Sequence, residues 1–190
     1  MTDQMKELQG HVNDMLAVET ELHAAFRRQK GDAGIKRNAA AHQFVSRTED
    51  TIDDHLAALK RCAERLGGES VLKKAVGGVM GAAAGLYGKV RSDDKVSRVL
   101  RDDHAALSFA SVCYEMLHTT ALAMRDSATA DLALSHLKHF TPLIVDLSRM
   151  LPEVLVEELS DEGKIPFDRS VAEDAARNTR DAWANASTMH

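Results

Sequence analysis

Along the first segment of the chain, Met5, Leu8, Val12, Met15, Leu22 and Phe26 recur at steps of three, four or seven. That spacing is the seam of a helix packed on one side. Glu19 falls on the seam, between Met15 and Leu22. Taking an ionised carboxylate out of water costs several kcal/mol unless a partner compensates it. A second seam runs through Ile52, His55, Leu59, Cys62 and Leu66, and it carries His55 inside it. Two inward polar residues on neighbouring helices mark the start of a site, or the remains of one.

The same periodicity and its interruptions predict four long helices. The first runs from Thr2 or Asp3 to Arg28, where GDAG at 31–34 breaks it. The second runs from near Ile35 to Leu66 and stops at Gly67-Gly68. Residues 69–91 form a glycine-rich crossover with a short helical piece at VLKK. The third helix opens at Ser92 and reaches about Arg125, with a seam through Val96, Leu100, Leu107, Ala110, Leu117 and Met124. Asp126-Ser127 turns the chain into the fourth, which runs to Met150 and is kinked by Pro142. Pro152 then opens a short final helix, PEVLVEELS. Short loops after helices 1 and 3 make two hairpins joined by one long crossover, the ferritin-like arrangement of a four-helix bundle. The fold class is therefore all-α, with residues 1–160 as the bundle and 161–190 as a tail. In that tail Ser170 and Glu173 have capping-box spacing. They predict a surface helix with a thin stripe of Val171, Ala175, Ala182 and Trp183, either docked on its own bundle or anchoring a subunit contact.

Composition narrows the function classes. With 24 basic and 29 acidic residues the net charge is -5, and the signs are interspersed. No basic block suits a phosphate backbone, so no nucleic-acid partner is expected. The most apolar stretch, residues 75–87, is shorter than the roughly 20 residues that span a bilayer, and no signal architecture opens the chain. A cytoplasmic protein without membrane contact is expected. Cys62 and Cys113 read as small buried thiols in a reducing compartment.

Several stretches resemble the ferritin-like bacterial stress-protein family, its YciF-like branch. They are AVETEL around Glu19, DDHLAALKRCAERLGGES from Asp53, VLKKAVGGVMGAAAGL, SVCYEMLHTTALAMRDSATADLALSHLKH, and MLPEV, together spanning about residues 8 to 155. The resemblance implies a four-helix bundle, often a homodimer, whose core can carry a two-metal site of inward Glu and His. Under it Glu19 matches the inward glutamate of helix 1, and His55 matches a helix 2 position. Thr51 and Ile52 stand where an acid is expected, Leu107-Ser108-Phe109-Ala110 replaces the acids of helix 3, and His139 and Phe140 replace those of helix 4. A degenerate metal centre is the expectation that follows.

Other spacings bear on the same site. Glu115 with His118, and His136 with His139, each sit one helical turn apart. The first pair reads as a solvated face. The second shares a face with Leu132, Leu143 and Met150, so a neutral histidine hydrogen-bonded to Glu19 or Asp146 would satisfy it without metal. His104, one turn before Leu107, could join such a cluster. Two functional classes follow. One is a non-catalytic binding or structural module with no cofactor, in which Glu19 and His55 hydrogen-bond each other. The other is a metalloprotein using Glu19, His55, His139 and His104, a donor set suited to zinc or a single iron. No nucleophile elbow, P-loop or Rossmann fingerprint supports another enzyme class.

Overall fold

The computed structural model describes residues 3–67 and 95–186, and these form six helices and no strand. Helix α1 covers Asp3–Gly31, α2 Ala33–Arg37, α3 Ala39–Gly67, α4 Val96–Ala123, α5 Ser127–Asp161 and α6 Arg169–Ala186. The GDAG break is a cap rather than an open loop. The Asp32 carboxylate accepts hydrogen bonds from the Gly34 and Ile35 amides at 2.7 and 3.0 Å and starts α2. Asn38 then separates α2 from α3, and its side-chain oxygen receives the Ala41 amide at 2.9 Å. What the sequence reads as one second helix is therefore two.

Pairings between helices fix their directions. Glu19 meets His55 while Gln9 donates to the Leu66 carbonyl, so α1 and α3 run antiparallel. Tyr114 meets His136 and Ser97 meets Glu158, so α4 and α5 do the same. Gln29 with Asp103 sets α1 against α4, and Arg47 with Asp146 sets α3 against α5. Every packed neighbour is antiparallel, which leaves α3 and α4 pointing the same way. The points to be connected, the end of α3 and the start of α4, therefore lie at opposite ends of the helices, about 42 Å apart at 1.5 Å per residue. That connection, residues 68–94, lies outside the described residues, and with it the expected crossover helix, the Ser92 start and the apolar stretch 75–87.

Between the helices the core is closed by Phe26, Ile52, Leu59, Leu100, Leu107, Leu117, Phe140 and Leu147, all essentially inaccessible. Both free cysteines belong to helices, Cys62 buried and Cys113 half-buried. No described helix is long and apolar enough to cross a membrane.

Two expectations are corrected. Helix α5 continues from Ser127 to Asp161 through both Pro142 and Pro152, so PEVLVEELS is its last turns and not a separate helix. Each proline removes one amide donor, to the carbonyls of Lys138 and Ser148, but packing along α4 holds the helix together across both gaps. In the tail, Asp168 caps α6 in place of Ser170, accepting from the Ser170 amide at 2.9 Å and hydroxyl at 2.7 Å. Helix α6 docks on its own chain. Ala172 is buried, Val171 is exposed, and Trp183 lies against His104 with ring centroids 6.2 Å apart.

Candidate functional site

Four helices each deliver one inward polar side chain to the same level: Glu19 from α1, His55 from α3, Tyr114 from α4 and His136 from α5. Glu19 and Tyr114 have no accessible surface, and the two imidazoles have almost none. The Nδ1 of His55 is 2.9 Å from Oε1 of Glu19. The Tyr114 hydroxyl donates to that same oxygen and lies 2.7 Å from Nδ1 of His136. The rings of His55 and His136 stack with centroids 3.7 Å apart and planes within 2°. Phe140 walls the layer with apolar surface, its ring centroid 5.0 Å from His55 and 5.9 Å from Tyr114.

One route leads from this layer toward solvent. The Nε2 of His55 is 3.0 Å from Nδ1 of His139, an exposed residue on the rim of a 410 Å³ surface cleft. Arg47, Asp54, Lys138 and Asp146 line the cleft with charges of both signs. Arg47 and Asp146 pair within it at 2.6 Å.

Burial sets the protonation of the layer. It pushes the Glu19 carboxyl up to about 8, against the opposing hydrogen bond from Tyr114. Burial likewise lowers His55 and His136 to about 3, and neighbouring imidazoles add to the effect. The Tyr114 hydroxyl is raised well above its ordinary range, first by burial and then by Glu19. One assignment of protons satisfies every link with no net charge. Glu19 Oε1–H donates to His55 Nδ1, His55 Nε2–H donates to His139, Tyr114 donates to Glu19, and His136 Nδ1–H donates to Tyr114. Oε2 of Glu19 is left buried in this layer without a partner.

The structure thus brings Glu19 and His55 together and hydrogen-bonds them, as one sequence reading expects. It places His139 outside them, hydrogen-bonded to His55 and with its ring centroid 6.4 Å from that of His136. His104 stands ten residues, about 15 Å, along α4 from Tyr114 and bonds Ser148 Oγ at 3.0 Å. Glu115 is exposed, and His118 bonds the Ala130 carbonyl at 2.9 Å, so that spacing makes no site. The helix 3 and helix 4 positions facing Glu19 are Tyr114 and His136, not Leu107, Ala110, His139 and Phe140.

Sequence reasoning missed Tyr114, and it missed a second buried carboxyl, Asp103, which accepts from Gln29 Nε2 at 2.7 Å. A signal for both was present. The α4 seam skips from Leu100 to Leu107 and from Ala110 to Leu117, and the residues filling those gaps are Asp103 and Tyr114. Among the described residues, Glu19, His55 and His136 are the cluster whose donor atoms come within 4.8 Å of one another, close enough to consider a metal. No family model, no curated protein and no solved structure matches this chain.

Proposed function

We propose that this protein is a ferritin-like four-helix bundle whose metal centre has been replaced by a hydrogen-bonded polar layer, and that it works as a non-catalytic binding or structural module. The observation that carries this reading is Tyr114, whose hydroxyl bridges Glu19 and His136 at the centre of the layer. Support for the fold comes from the antiparallel neighbours and the parallel α3 and α4 joined by one long connection. A carboxylate-bridged metal pair in such a bundle uses a Glu from each of two helices and a Glu-x-x-His motif from each of the other two. In this chain α1 supplies Glu19 and α4 supplies Tyr114. The two motifs read Ile52-x-x-His55 and Ala133-x-x-His136, with Ile52 and Ala133 fully buried. Both histidines remain and three of four carboxylates are gone. One carboxylate cannot bridge and neutralise two divalent ions, so the di-iron set does not fit. The bacterial stress association is part of the same proposal and rests on the sequence resemblance alone.

A second reading is favoured by the orphaned Oε2 of Glu19. A single zinc or ferrous ion could be held by Glu19, His55 and His136, and it would supply Lewis-acid or one-electron chemistry in a dry site. The parallel stacking of the two rings weighs against it. Two imidazoles stacked with parallel planes cannot both aim a nitrogen lone pair at one point, so one ring would have to turn before both could serve as ligands. Equilibrium dialysis against zinc and against ferrous iron decides between the readings, using protein without a histidine tag. The proposal expects no stoichiometric uptake, and unchanged helix content in Glu19→Gln. One bound ion per chain, lost in Glu19→Gln, would overturn it.

A further inference from the structure

Helix α4 carries a second apolar seam on its solvent side. Ala105, Phe109, Val112, Met116, Thr119 and Ala123 are all exposed and recur at alternating steps of four and three. Phe109, Val112 and Met116 keep 39%, 53% and 52% of their surface in water. A single exposed apolar residue needs no explanation, but three large ones in heptad register form the stripe of a helix pair, and among the described residues no helix covers it.

The flanks of the stripe indicate which mate fits. Arg101 and Glu115 each stand one position before the seam, at 102 and 116, so they share a flank, and both are exposed. They lie seven residues on either side of Ser108, about 10 Å each way. When two identical helices pack antiparallel, each flank meets the same flank of the other copy. A two-fold axis at Ser108 therefore sets Arg101 against the second copy's Glu115, twice. The same register drops each Phe109 between Ala105 and Phe109 of the other copy, where the small alanine leaves room for the ring. Among the described residues Arg101 pairs with the neighbouring Asp102, at 2.8 Å, on the open surface.

We propose that the exposed face of α4 is a docking site for a second copy of this chain, in an antiparallel α4–α4 contact centred on Ser108. The contact is isologous and closes on itself, as a two-fold dimer requires. One helix face lies at the small end of specific interfaces, so dissociation in the micromolar range is expected.

Sedimentation velocity on the full chain across low to high micromolar concentration tests this, with circular dichroism to confirm that each variant is folded. A reversible dimer is expected, and Val112→Arg should abolish it. Arg101→Glu and Glu115→Arg should each weaken it about tenfold by turning two attractive pairs repulsive, and the double variant should restore it. A monomer at every concentration would overturn the proposal. A dimer indifferent to Val112→Arg would also overturn it. Single charge reversals that the double variant fails to rescue would overturn the antiparallel register.

Discussion

At the scale of single residues, burial governs Glu19, His55 and His136 in the layer and Asp103 outside it. Glu19 and Asp103 are both pushed up to about 8, by burial first, with hydrogen bonds from Tyr114 and Gln29 opposing. Each acid holds its proton more tightly in the folded chain than in the unfolded one. Its contribution to stability is therefore complete below the ordinary carboxyl range and is lost as pH rises toward about 8. His55 and His136, lowered to about 3, go the other way. Their contribution is complete above the ordinary imidazole range and is lost as pH falls toward about 3. Mildly acidic solution should thus suit this core best. Urea unfolding should show stability nearly level between about pH 5 and 6.5, where the histidines offset the acids, and declining from about pH 6.5 to 8 by at most about 1.4 kcal/mol per pH unit for each acid. Glu19→Gln and Asp103→Asn should each flatten the decline, and slopes unchanged in both variants would refute the assignment. Tyr114→Phe should cost about 1–3 kcal/mol, because it strips a partner from His136 and a donor from Glu19. A variant as stable as the parent in urea would show that the hydroxyl holds nothing. Glu19 and His55 were legible in sequence because each interrupts or joins an apolar seam. Tyr114 and Asp103 were harder to see, since a seven-residue step is consistent with the same seam and does not reveal what fills it.

Among elements, the junctions show how side chains set the helix ends. Asp126 caps α5 by accepting the Thr129 amide at 3.1 Å and also receives Arg65, near the end of α3, at 2.9 Å. One carboxylate thereby ties the start of α5 to the end of α3. Asp126→Ala should lower stability by about 1–2 kcal/mol in denaturant unfolding, and a loss of only a few tenths would mean that the cap is dispensable. The helix boundaries at the GDAG break, at Gly67 and at Asp126 were legible to within a few residues, and the break at Asn38 was not. Pro142 was read inside the helix, where it lies, whereas Pro152 was read as the start of a new one, yet α5 runs on through it, because tertiary packing along a 35-residue helix outweighs two missing amide bonds. The same override explains α6, where the buried face contains Ala172 rather than the expected Val171: docking on the bundle, not local hydropathy, chooses the face.

For the whole molecule, topology and chemistry point in one direction. Antiparallel neighbours, parallel α3 and α4, and one polar residue from each long helix at a common level make a bundle built around a centre. The helical class and the pairing of short hairpins were legible because loop length constrains direction. The level at which the helices meet was not, because sequence spacing does not fix how far one helix slides along another. That is why Leu107 and His139 stood in for Tyr114 and His136 until the register was seen. Closure of that centre by neutral hydrogen bonds is the central claim, and nitrogen-15 NMR of the histidine rings at pH 7, recorded before and after one equivalent of zinc, tests it most directly. His55 and His136 should be neutral, each in one tautomer, and unmoved by zinc. Protonated rings, or both rings shifting together on adding a single equivalent, would contradict it.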